Sequence, residues 1–309
     1  MPRRPGGWAG SAAAVLFVML GAVSPAGSTP PGRDGLIAFV VHSSVVGPGY
    51  GLAVVRADGS RLRHLTRDGR DRSPAWSPDG SQLAFARAGR LYVIRADGTG
   101  LRPIAPRINR ARQPAWSPDG RSIAFVRGRT IYVMRSAGDQ VRQIFVRDGA
   151  FVTRPSWSPD GSWIAFGLSG EGDGGSIMIV RPTGGDARYV TDGRFGAPSL
   201  DPDVADDYEP DWSPDGMLLA FTRVVWLCGS CDQEELFSVR VDGTDPHWLT
   251  TDTSFAVQLA SWSPSGGRIV AETSRGVAIL TASGQFVRIL DPQGTEPAWQ
   301  ALGRANHQP

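Results

Sequence analysis

The chain has 309 residues, 41% of them hydrophobic and 20% charged, a balance that excludes a disordered or low-complexity polymer. Glycine (39) and proline (24) are plentiful, which implies many tight turns. The 32 basic residues, all arginine, face 30 acidic ones, so the charge excludes the strongly basic footprint of a nucleic-acid binder.

Residues 1–26 read as a secretory signal peptide. Arg3 and Arg4 precede an apolar run from Ser11 to Val23, and Ser24-Pro25-Ala26 offers small residues for cleavage. The apolar run is too short for a comfortable bilayer span, so no stable membrane span is expected after cleavage. The implied localisation is export, to the periplasm, the cell envelope or the medium. Losing Arg3 and Arg4 leaves 30 basic against 30 acidic residues. Residues 27–32 form a short linker.

The rest of the chain repeats itself. Its first copy holds RDGLIAFVV (Arg33–Val41), then GLAVVRADGSRLRHLT up to Thr66. The next copies each open on a Trp strand. WSPDG begins at Trp76, Trp116, Trp157 and Trp212, and WSPSG at Trp262, with spacings of 40, 41, 55 and 50 residues. An apolar segment follows each motif, then a second (such as RLYVIRADG) and a short third (such as LRPIA). Period-2 alternation with β-branched and aromatic residues predicts strands throughout. Four short antiparallel strands, A to D, about every 40 to 45 residues are the signature of a propeller blade.

The turns have a mechanism. In SPDG the proline presets φ, the aspartate can bond its own backbone and the glycine accepts φ > 0, which predicts a tight A–B hairpin. ADG and VDG do the same between strands C and D. The Trp of strand A recurs at one position and is expected to pack between blades. The first copy lacks a strand A, and Glu296–Gln300 (EPAWQ) near the C-terminus supplies one. The predicted fold is therefore all-β: a six-bladed propeller of four-stranded antiparallel blades over residues 33–300, closed by that C-terminal strand. Residues 301–309 are expected to be a disordered tail.

These motifs resemble the TolB-like propeller repeat family, a relative of the WD-type repeats. The pattern P-x-W-S-P-D-G-x-x-I-A-F is matched at Pro74–Phe85, Pro114–Phe125, Pro155–Phe166 and Pro210–Phe221. The resemblance implies a propeller covering nearly the whole mature chain, used as a structural unit in many settings. The α/β domain that precedes the propeller in TolB has no counterpart in the few residues between Ala26 and Arg33. A G-x-S-x-G nucleophile elbow is absent from the sequence.

The D–A and B–C loops, on one face of the disc, hold every insertion, and long loops on a rigid scaffold are where function tends to sit. Arg107, Arg110 and Arg112 lie in the loop between blades 2 and 3. Glu209, Glu296 and Arg154 precede the strand-A proline, as do Gln113 and Ser73, and are expected at the channel mouth. These six charged residues are the candidate partner-binding set. Asp201, Asp203, Asp206 and Asp207 form an acidic loop that could supply oxygens to Ca²⁺. Cys228 and Cys231, the only cysteines, are expected to form a loop disulfide in an exported protein.

Residues 27–155 carry 21 Arg against 9 acids, and residues 156–309 carry 9 Arg against 21 acids. The basic half is suited to an acidic protein or an anionic cell-envelope polymer. The expectation is an exported, monomeric, non-catalytic propeller that binds such a ligand through the D–A/B–C face. Two alternatives stay open: a carbohydrate- or peptide-acting lyase or hydrolase at the channel mouth, with Ca²⁺, and a purely structural module.

Overall fold

The computed structural model describes residues 33–42, 51–170, 173–191, 206–228, 231–250 and 255–302. Six four-stranded antiparallel sheets account for their regular structure, and among the described residues there is no helix. Blade 1 is ordered β24 (Gly294–Leu302), β1 (Arg33–Val41), β2 (Gly51–Arg56), β3 (Arg63–His64). Blade 2 runs from β4 (Asp71–Trp76) to β7 (Arg102–Ile104), and blade 3 from β8 (Ala111–Trp116) to β11 (Arg142–Val146). Blade 4 spans β12 (Ala150–Trp157) to β15 (Arg188–Tyr189). Blades 5 and 6 run from β16 (Asp206–Trp212) to β19 (His247–Trp248) and from β20 (Val257–Trp262) to β23 (Phe286–Asp291). Each inner strand touches the inner strand of the next blade, and β24 touches both β20 and β4. The C-terminal strand thus closes the ring, which removes the open edge that a linear array would leave.

The SPDG turn works as its residues dictate. Ser77 Oγ donates to Asp79 Oδ1 at 2.6 Å, the same oxygen accepts from Ser81 N at 3.0 Å, and Gly80 sits at φ 69°. Strand-A tryptophans fill the space between blades. Trp76 packs with Ala38, Val40, Leu52 and Val54 of blade 1, Trp212 with Ala165 and Ile177 of blade 4, and Trp299 with Val270 and Ile279 of blade 6. Each such indole contributes about 2–3 kcal/mol through burial.

Two further devices lock neighbouring blades. In the first, Thr66 at the end of blade 1 accepts from Leu52 N at 2.9 Å and donates to Asp71 of blade 2, which Arg87 grips with both Nε and Nη2. Blade 5 repeats the arrangement: Ile177 N donates to Thr191 Oγ1 at 2.9 Å, and Arg223 donates to Asp207 through Nε (2.6 Å) and Nη2 (2.8 Å). In the second, an arginine of strand D or just outside it reaches the next C–D turn. Arg63 donates to Ala96 O at 2.7 Å, Arg142 to Pro182 O at 2.6 Å, and Arg288 to Asp58 O at 2.7 Å.

The element boundaries differ from expectation in instructive ways. Strand D, the outer edge of every sheet, has only two residues in blades 1, 4 and 5. Asp206–Trp212 is strand A of blade 5 and not part of a loop. The B–C insertions of blades 4 and 5 extend the strands themselves: Ile164–Gly170 pairs with Asp173–Val180, and Leu218–Cys228 with Cys231–Arg240. The last strand continues past Gln300 to Leu302.

Candidate binding site at the channel mouth

The site begins with a backbone irregularity. In five blades the A–B pairing slips at the strand-A proline, for example between Arg72 and Ala75 and between Tyr208 and Asp211. Proline has no N–H for the ladder, so a bulge is the natural solution there. The residue before it adopts positive φ: Ser73 (53°), Gln113 (52°), Arg154 (31°), Glu209 (58°) and Glu296 (50°). A residue before proline ordinarily stays extended, and a left-handed non-glycine residue costs about 1–3 kcal/mol. The five form one ring facing the axis.

Their side chains interlock. Glu296 accepts from Ser73 N and from Ser73 Oγ (2.9 Å), and its own N–H donates to Glu272 Oε2 at 2.8 Å. Gln113 Oε1 accepts from Arg154 N at 3.1 Å. Arg154 runs across the channel: its Nε lies 3.7 Å from Glu209 Oε2 in blade 5, and its Nη2 reaches Pro297 O of blade 1 at 3.4 Å. Arg72 Nε stands 3.8 Å from Glu296 Oε1.

The ring divides the channel. Towards the D–A/B–C face lies a cavity of ≈ 540 Å³ whose wall includes Arg70, Arg72, Arg110, Arg112, Arg154, Glu209 and Glu296. Below it, ≈ 210 Å³ is lined by the inner-strand tryptophans and the SPDG prolines, with Asp211 in the wall. Ser73, Gln113 and Arg154 line both. Asp211 accepts from Ser156 Oγ at 3.0 Å and from Trp262 N at 2.9 Å, tying blades 4, 5 and 6 together.

Burial pushes the Glu209 carboxyl above the ordinary range; Arg154 pulls it back, and Glu296 and Glu272 push it further up. Burial also raises Glu272, next to Glu296. His42, beside Arg72 and Glu296, is lowered by burial and by the Arg72 charge. The mouth therefore offers guanidinium groups for anionic partners, held beside carboxylates whose charge is costly.

Five of the six expected partner-binding residues meet here: Arg110, Arg112, Arg154, Glu209 and Glu296. Arg107 is exposed and stands outside this wall. Arg112 is committed in part to the scaffold, donating to Gly128 O at 3.0 Å and Val152 O at 3.2 Å. The calcium reading needs correction at Asp207. That side chain is buried with both oxygens taken by Arg223, so it is an inter-blade lock. Asp206 accepts from Gly175 N. Asp201 and Asp203 lie outside the described residues. Among the described residues no three His, Cys, Asp or Glu side chains stand close enough to share a metal ion. Cys228 and Cys231 are cross-strand backbone partners, and their side chains lie outside the described set.

Glu272 and Arg72 were not singled out from sequence. The signal for Glu272 is visible in hindsight, since the equivalent strand-B position carries Val40, Ala86, Val126, Gly167 and Thr222 in the other blades. A lone carboxylate there breaks the repeat.

Residues 56–265 match the family model for the TolB beta propeller domain. The chain belongs to the TolB beta propeller family. Among solved structures this TolB-type propeller is similar to TolB from Acinetobacter baumannii, at 20% identity and a TM-score of 0.68, over 86% of this chain and 66% of that one. It thus spans just under two thirds of that relative. A putative TolB from Agrobacterium tumefaciens is 20% identical with a TM-score of 0.65, over 86% of this chain and 91% of the other. Hydrazine synthase from Kuenenia stuttgartiensis aligns at 17% identity and a TM-score of 0.57, over 75% and 70%. At such identities the likeness is one of fold. No curated protein matches the sequence. Among the described residues no helix is long and apolar enough to cross a membrane.

Proposed function

We propose that the protein is an exported, monomeric, non-catalytic propeller that receives an acidic segment of a protein partner at its channel mouth. The observation that carries this reading is the ≈ 540 Å³ cavity on the D–A/B–C face, walled by five arginines and two glutamates. Arginine forks suit carboxylates, and Arg72 and Arg110 are exposed enough to meet a ligand, with 41% of the Arg72 side chain accessible. The Arg154 bar below them gives the bound segment a floor. Family membership supports a binding propeller. The signal-like residues 1–26 support export to the periplasm, envelope or medium.

The test is fluorescence anisotropy with a labelled oligoglutamate peptide. Wild-type protein should bind it, binding should weaken with added salt, and an Arg72→Glu, Arg110→Glu variant should lose about ten-fold or more in affinity. Equal affinity of wild type and variant would rule the mouth out as the docking site.

A further inference from the structure

On the opposite face of the disc, at the closure seam, lies a cavity of ≈ 910 Å³. Its origin is topological. In blades 2, 3, 5 and 6 the backbone of the A–B hairpin bonds the C–D turn of the same blade, as in Ala96 N to Ser81 O and Ser136 N to Arg121 O, both near 2.8–2.9 Å, and in blade 4 the Arg181 side chain donates to Ser162 O instead. Blade 1 has no A–B hairpin, because its strand A comes from the other end of the chain.

The wall of this gap includes Arg56, Arg61, Arg63 and Arg268, with Asp34 and Asp58. The internal repeats show what is unusual here. Each of blades 1 to 5 has an arginine at the end of strand C: Arg56, Arg95, Arg135, Arg181 and Arg240. In blades 3, 4 and 5 it pairs with a carboxylate of the following turn: Arg135 with Asp139, Arg181 with Asp186 at 3.5 Å, and Arg240 with Asp245 at 3.6 Å. Asp186 and Asp245 occupy a left-handed turn position, at φ 53° and 57°. Blade 1 places Arg61 at that same position, at φ 58°. The position that neutralises the strand-C arginine in blades 4 and 5 holds Gln140 in blade 3 and Gly100 in blade 2, and in blade 1 alone it holds a second cation.

The carboxylates of the wall are hydrogen-bonded to backbone, although the Arg56 and Arg288 charges also act on Asp58. Asp58 accepts from Ser60 N at 2.8 Å, and Asp34 from Ser265 N at 3.2 Å. Arg63 is the strut to Ala96 O. Arg56, Arg61 and Arg268 are exposed and make no ion pair among the described residues. We infer that this seam cavity is an anion-binding site for a small phosphorylated molecule bearing two or more phosphate groups, gripped by Arg56, Arg61 and Arg268. Guanidinium forks match phosphate oxygens two at a time, and three of them around one gap favour a polyanion over a single charge.

The experiment is isothermal titration calorimetry of the full chain with inorganic pyrophosphate. Wild type should bind one equivalent. Arg61→Asp installs the pairing that blades 4 and 5 already tolerate, so the variant should fold, with a circular-dichroism melt as the check. It should weaken binding about ten-fold or more by supplying Arg56 with an internal partner. Arg121→Asp, at an exposed A–B turn of blade 3 outside both cavity walls, should leave the affinity unchanged. Wild-type protein that takes up no pyrophosphate at millimolar concentration overturns the site. So does an Arg61→Asp variant that binds as wild type does, or an equal loss in Arg121→Asp, which would mean diffuse attraction to surface charge. Because the two sites lie on opposite faces, failure of either leaves the other standing.

Discussion

Asp207 shows how one carboxylate can suggest a ligand role in sequence and hold a lock in the fold. Arg223 beside it is fully buried, and a buried guanidinium stripped of its bidentate partner is strongly destabilising, by about 3–5 kcal/mol. Asp207→Ala should therefore lower the melting temperature by the same amount in EDTA and in millimolar Ca²⁺. A loss that appears only with Ca²⁺ would restore the cation reading. Glu209 makes the opposite argument. Its carboxyl is raised in the fold, first by burial, from the usual 4.5. The folded state thus binds the proton more tightly than the unfolded chain, so stability falls as pH rises from the usual value to the folded one, and the cost is complete above it. Falling pH removes that cost. Glu209→Gln should be more stable than wild type at neutral pH, and the gap should close on acidification towards the usual glutamate range. A constant gap across a series of melts would show that ionisation is not the cause.

At the scale of the element, turn and strand end carry the coupling between blades. Gly284 sits in the C–D turn of blade 6 at φ 83°, and a Cβ there would lie 2.1 Å from Leu249 O of blade 5. Gly284→Ala combines left-handed strain with a backbone clash, so a loss of about 3 kcal/mol or more is expected. Denaturant unfolding measures it. Thr66→Val tests the threonine lock. It keeps the shape but takes the Thr66 acceptor from Leu52 N and leaves Asp71 Oδ2 with Arg87 alone in a buried setting, which costs about 1–3 kcal/mol. If the variant unfolds at the wild-type denaturant midpoint, the lock contributes nothing.

For the whole molecule, the ring is the unit of stability. Strand β24 covers the edge of β1, and its Trp299 is 6% exposed between blades 1 and 6. Truncation after Gln293 removes this strand alone. It exposes an apolar strand edge, a template for pairing with other chains. The truncated chain should elute as higher oligomers in size-exclusion chromatography and lose its single cooperative thermal transition. A monomeric truncation that melts cooperatively at the wild-type temperature would show that closure is dispensable.

Blade number, strand order and closure were legible in the sequence because each blade repeats the same local chemistry: SPDG sets one hairpin, ADG the next, and the spacing counts the blades. The missing strand A of blade 1 and the EPAWQ segment could be matched for the same reason. The ring of Ser73, Gln113, Arg154, Glu209 and Glu296 was half legible, since the position before each proline recurs, but its left-handed backbone and the Arg154 bar were not. Those depend on which blade lies across the axis, a relation between residues 143 positions apart. The fate of Asp207 and the gap at Arg56, Arg61 and Arg268 were likewise decided only in three dimensions. A carboxylate becomes a lock, and an arginine turn a cationic hollow, according to which partner the closed ring brings within hydrogen-bonding distance.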